Sequence, residues 1–212
     1  PTYKFLCQAA TFIGVETTFC GDEFPFIVQN RTMAGQFSAH VMTSIISGFI
    51  ISFPYILYEF WKFISPGLLE KEKAKSRGFI FISSLLFFIG VLFGYYIISP
   101  LSINFLGTYQ VSSQVLNEID LGSFISLVRS SAIASGIIFE LPIIIYFLTK
   151  AGVVTPESLV KYRKYALVLV LVLAAIITPP DVASQIIVAI PIVVLYQVSI
   201  FISKIVVKNQ GK

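Results

Sequence analysis

The sequence predicts an all-α membrane protein, a bundle of five transmembrane helices, and three observations carry that expectation. Of the 212 residues, 56% are apolar and only 12% charged, a balance that suits lipid better than water. The apolar residues gather into five runs, most of them near the ~20 residues that a hydrocarbon core of about 30 Å requires. Lys and Arg fall at the ends of those runs, in alternate loops. No room is left for a large soluble domain, and a net charge of +4 spread over helix ends does not describe a nucleic-acid binder. Two parts are expected: an extracytoplasmic amino-terminal segment, 1–35, and the helical bundle, 36–212.

With no initiator Met at Pro1 and no signal-peptide pattern, the chain is expected to lack its own start. Cys7 and Cys20 both precede the first span. In an oxidising compartment they can close a short disulfide loop; the alternative is two free, partly buried thiols. Metal binding is not expected, because no second pair of ligands accompanies them and His40, the only histidine, lies across a turn-rich stretch.

The first span is expected over about 36–64, bent at Pro54, with Trp61 in the interfacial belt and Lys62 beside it. The second covers about 78–99 and ends at Pro100. The stretch after it is amphipathic (Leu101, Ile103, Phe105, Leu106, Tyr109) and is expected to lie on the outer surface. The third covers about 123–149 and carries Glu140 and Pro142. The fourth, about 164–177, covers only ~20 Å and is short for a bilayer. Thr155-Pro156-Glu157 reads as an N-cap, a first-turn proline and a dipole-matched acid, so that helix is expected to start near Pro156 with a polar turn or two. The fifth covers about 182–203 with Pro191 inside it, and the last two spans together are expected to be short.

Lys71, Lys73, Lys75 and Arg77 follow the first span; Lys150, Lys161, Arg163 and Lys164 follow the third; Lys204, Lys208 and Lys212 lie in the tail. The opposite loops hold Glu118, Asp120 and Asp181 with no Lys or Arg. The positive-inside rule makes the basic loops and the carboxyl terminus cytoplasmic and the amino-terminal segment external.

Glu140 is the costliest residue of the chain. It sits mid-span in Ile138-Phe-Glu140-Leu-Pro142, where a charged side chain costs at least about 2.5–3.5 kcal/mol on insertion scales. It is read as a functional group, the alternative being a hydrogen-bonded carboxyl that joins neighbouring helices. Arg129 is three turns away, about 16 Å, too far for contact, and is expected to snorkel outward. Glu59 and Lys62 are spaced to pair, and Gly90 and Gly94 form a small-xxx-small packing step. In the loop Phe63-Ile-Ser-Pro66-Gly-Leu68-Leu-Glu70-Lys-Glu72, Glu70 and Glu72 are either ordinary solvated charges or a carboxylate site for a cation such as arginine. Neither a nucleophile paired with His40 nor a nucleotide loop is present, so no enzyme and no cofactor is expected.

These motifs together resemble the TatC family, the multispanning receptor subunits of the twin-arginine protein translocase. The matching residues are Phe53-Pro54-Tyr-Ile-Leu-Tyr58, Phe63-Ile-Ser-Pro66-Gly-Leu68 with Glu72, Phe139-Glu140-Leu-Pro142, and Arg163-Lys164-Tyr165. Thr178-Pro179-Pro180-Asp181-Val182, Ser184-Gln185, Ile190-Pro191 and Leu195-Tyr196 complete the series. The resemblance implies six spans with both ends cytoplasmic, of which this chain shows the last five, in the bacterial cytoplasmic (inner) membrane. Gln197 stands where many relatives carry a glutamate.

The resemblance also implies a role. Glu72, with Pro66 and Leu68, would receive the paired arginines of a signal peptide on a folded precursor. Glu140 would be a polar contact for signal or partner helices within the lipid. Single-span TatA- and TatB-type subunits would dock near the last two spans and use the proton-motive force, in a receptor complex holding several copies and its lipids. The alternative is an ion-coupled secondary transporter of small solutes with Glu140 as its proton site, although no internal repeat supports it.

Overall fold

The computed structural model describes residues 26–64, 76–112, 117–177 and 182–210. Cys7, Cys20, Pro66, Leu68, Glu70, Glu72, Pro179, Pro180 and Asp181 lie outside the described residues. Strand β1 (Ile27–Gln29) leads into helix α1 (Gly35–Ile64). The second span is α2 (Ser76–Phe93), a π turn (Gly94–Ile98) and α3 (Ser99–Thr108). Strand β2 (Glu118–Asp120) precedes the third span, α4 (Leu121–Phe139) and α5 (Leu141–Lys150). A short α6 (Pro156–Lys161), then α7 (Arg163–Ile177) and α8 (Val182–Gln210), complete the chain. The architecture is the expected helical membrane bundle, with four stretches long and apolar enough to cross a membrane: Gly35–Phe63, Ile80–Thr108, Leu121–Lys150 and Ser184–Lys208.

The fourth span falls below that length. At 15 residues α7 is about 22 Å long. Thr155 caps α6 as expected, its side chain accepting from the Ser158 N–H at 3.3 Å, with Pro156 in the first turn. However, α6 stops at Tyr162 rather than running straight into α7. The fifth span corrects the expectation of two short closing helices. It runs 29 residues, past Ser203 to Gln210, because no Gly or Pro stops it and polar Lys204 and Lys208 are good helix formers.

The second span differs most from expectation. Pro100 does not end it. A proline has no N–H for the carbonyl one turn back, and the π turn absorbs that defect. The Ser99 N–H bonds the Gly94 carbonyl five residues earlier, and the Ser99 hydroxyl donates to the same oxygen at 2.8 Å. Residues 99–108 therefore continue the span instead of lying on the surface.

The second span approaches α4 closely, and small residues make this possible. A Cβ on Gly94 would meet the Ser131 carbonyl oxygen at 2.5 Å and the Ala132 Cα at 2.8 Å. On Gly90 it would meet the Phe139 Cβ and the Ser135 carbonyl oxygen, both at 2.8 Å. The ring of Phe53 on α1 stacks on Phe87 of α2 with centroids 3.6 Å apart. A second centre forms where the π turn meets the last helices, around Ile98, Val170, Ala174, Val188, Ala189 and Ile192. Buried Thr149 and Ser203 share a hydrogen bond of 2.9 Å that ties α5 to α8.

At the amino-terminal end of the third span lies a feature the helical reading did not contain. β1 and β2 pair in parallel over three residues, Ile27 opposite Glu118 and Gln29 opposite Asp120. Arg31 pairs with Glu118 at 3.0 Å, and Asp120 caps α4 by accepting from the Gly122 and Ser123 N–H groups. The expected Glu59–Lys62 pair is present at 3.7 Å.

Candidate functional site

Glu140 occupies the break between α4 and α5, and its neighbours explain why the span breaks there. Pro142, buried at the second position of α5, cannot donate to the Ile138 carbonyl. The Glu140 N–H turns instead to Ile137 O at 3.1 Å, a tighter turn than an α-helix makes. Glu140 is 8% exposed. The fully buried Ser83 of α2 donates its hydroxyl proton to Oε2 at 2.6 Å. The other oxygen, Oε1, is buried with no hydrogen-bond partner.

Glu140 lines a cavity of about 180 Å³ walled by Leu57, Phe60 and Trp61 of α1 and Ile143, Ile144 and Phe147 of α5. The lining is apolar apart from Ser83 and Glu140 themselves. Trp61 was expected at the membrane interface. It lies three residues before the end of α1 and is 8% exposed, its ring 5.8 Å from that of Phe147. A carboxyl held by one hydroxyl can accept a further N–H or O–H through its second oxygen, or donate when protonated. The cavity thus offers one polar contact in an apolar frame.

The remaining expected residues are spread across the bundle. Pro54 lies inside α1 and Pro191 inside α8, both helices running through them. Gln185 donates through Nε2 to the Leu171 carbonyl at 3.0 Å, which fixes α8 against α7. Tyr196 donates to the Leu159 carbonyl at 2.8 Å, tying α8 to α6. Ser83 went unnoticed in the sequence. Its only signal was a pair of serines, Ser83-Ser84, inside the apolar run of the second span.

Comparison with known proteins identifies the lineage. The model of the family described as TatC, Sec-independent protein translocase protein, matches residues 3–191. This chain belongs to the TatC family. It is 50% identical over 183 residues to the Sec-independent protein translocase protein TatC of Blattabacterium sp. subsp. Periplaneta americana (strain BPLAN), covering 86% of this chain and 69% of that one. It is 43% identical over 173 residues to the TatC of Aquifex aeolicus (strain VF5), covering 80% and 71%. A solved structure described as "Crystal Structure of Twin Arginine Translocase Receptor- TatC" superposes with a TM-score of 0.70 at 36% identity, over 97% of this chain and 87% of that one. A second, of the same receptor in DDM, gives 0.68 at 38% identity. TatC membership makes this an integral membrane component of a protein translocase and decides against the small-solute transporter.

Proposed function

We propose that this chain is the signal-receiving core of a twin-arginine translocase, and that Glu140 is its intramembrane foothold. The observation that carries the second part is that Glu140 lines an apolar cavity inside the third span while its Oε1 is buried without a hydrogen-bond partner. An apolar helix bearing one polar group fits such a site. The hydrophobic stretch of a signal peptide and a single-span TatA- or TatB-type subunit both have that character. Desolvation makes the contact selective, because a buried oxygen left unbonded costs about 1–3 kcal/mol.

Recognition of the paired arginines falls to Glu72, framed by Pro66 and Leu68, since a carboxylate takes a guanidinium fork bidentately. The loop that carries it is basic, and the alternation of charged loops puts it and the carboxyl terminus in the cytoplasm, with the amino-terminal segment periplasmic. Single-span partners dock against the short α7 and against α8, and the proton-motive force drives passage of the folded cargo.

Photocrosslinking in membranes containing the whole translocase tests both assignments. A photoreactive residue in place of Ile144 should capture the apolar part of a signal peptide or a single-span partner. Glu72→Ala should sharply reduce capture of a twin-arginine precursor at the cytoplasmic loop, and Glu70→Ala much less. No adduct at position 144 would remove the foothold, and equal capture by the Glu72→Ala and unmodified chains would remove the arginine site.

A further inference from the structure

Arg129 is the second charge of the third span and has no role in the scheme above. Its Nε and Nη1 atoms are buried without a hydrogen-bond partner. Every acid described near it is engaged elsewhere, Glu118 with Arg31 and Asp120 with the first turn of α4. The side chain lines a cleft of about 340 Å³ between the start of α1 and the start of α4, with Thr32, Gly35, Ser38, Met42 and Gly122. A water needs only ~10–15 Å³ of such space, so the cleft admits a much larger group.

Depth identifies that group. The third span, Leu121–Lys150, is 30 residues and about 45 Å long, so it overhangs a ~30 Å hydrocarbon core by roughly 7 Å at each end. Arg129 is eight residues from Leu121, about 12 Å along the axis, which puts its Cα some 5 Å below the headgroup boundary. Side chains on a helix lean toward its amino terminus. The arginine stem therefore rises toward the nearer membrane surface, and Gly122, two turns above it, shares the same cleft.

We infer that the cleft between α1 and α4 is a phospholipid site in which Arg129 binds the headgroup phosphate of the adjoining leaflet. A guanidinium meets a phosphate through two parallel N–H···O bonds, one of which takes up one of the donors now left unbonded. Thr32 and Ser38 also line the cleft, and their hydroxyls supply further donors for the phosphate or the headgroup. An unpaired cation inside a span is costly, and phosphate at this depth supplies the missing anion.

Native mass spectrometry of the full chain in detergent tests the site, with phosphatidylglycerol, a phosphate-free galactosyl diacylglycerol and inorganic phosphate as separate probes. One phosphatidylglycerol should be retained, weakened on the order of tenfold by Arg129→Gln and less by Arg129→Lys, with the galactolipid not retained. Thermal unfolding supplies a second readout. Phosphatidylglycerol should raise the Tm of the unmodified chain and leave that of Arg129→Gln unchanged, while the lipid-free Tm of the variant is equal or higher. Equal retention by Arg129→Gln, or equal retention of the galactolipid, would overturn the proposal. So would saturation by inorganic phosphate with no added hold on the lipid, or a lipid-free Tm that falls in the variant together with an unchanged lipid response.

Discussion

Two charges in the interior of the third span, Glu140 and Arg129, sit in opposite settings. Glu140 stands at a break in the backbone beside an apolar cavity, one oxygen fixed by Ser83 and the other buried without a partner. Arg129 stands in unbroken helix, at a cleft also lined by Thr32 and Ser38 near the end of the span. A short side chain at mid-depth cannot reach water and has to be anchored by a neighbouring helix. A long one nearer the surface can reach polar groups outside the protein and needs only an opening. The same span thus carries a contact built from inside the bundle and another completed from the membrane.

Glu140→Leu attacks the first setting directly. It removes both oxygens and leaves the Ser83 hydroxyl without its acceptor, a loss of about 1–3 kcal/mol that corresponds to roughly 5- to 150-fold. Export of a twin-arginine reporter should fall by a factor in that range, whereas Glu140→Gln, which keeps a carbonyl for Ser83, should retain most activity. A fully inactive Gln variant would show that the proton of the carboxyl, not its hydrogen bonding, matters.

Gly94→Ala disturbs the contact that holds Ser83 opposite Glu140. Its new methyl would meet backbone atoms of Ser131 and Ala132, which cannot move aside, so about 1–3 kcal/mol of destabilisation is expected in detergent unfolding. Gly48→Ala, with no atom within 4 Å of the added methyl, should be neutral or mildly stabilising. Equal effects of the two would mean that α2 and α4 are not closely packed. Ser83→Ala is the mildest change. It should cost about 1 kcal/mol in unfolding and leave export less impaired than Glu140→Leu does, sharpening the division between positioning the carboxyl and using it.

The spans were legible because a bilayer imposes a length of apolar sequence, and the break at Glu140 was signalled by Pro142. The Thr155 and Pro156 helix start was legible for a similar reason, since a cap is a local device. What escaped were matters of tertiary placement. Ser83 meets a partner 57 residues away, and no local pattern announces that. Pro100 was misread because a proline ordinarily ends a helix, and only contact with α4 and the last helices shows why a wider turn is favoured here. The pairing of β1 with β2 joins three-residue segments, too short to stand out from loop sequence.

The π turn also bears on how such a span tolerates changes of length. Up to its start, buried positions Phe87, Gly90 and Gly94 recur at ordinary helical spacing toward α4; at its end Ile98 joins the centre shared with α7 and α8. A π turn is an α-helix carrying one surplus residue, so it re-aims every side chain that follows by about 100°. Gain or loss of a single codon inside a membrane helix ordinarily scrambles its whole downstream face. Between Gly94 and Ile98 this chain holds such a surplus residue in place, with Ser99 closing the widened loop, and one helix thereby serves two neighbours.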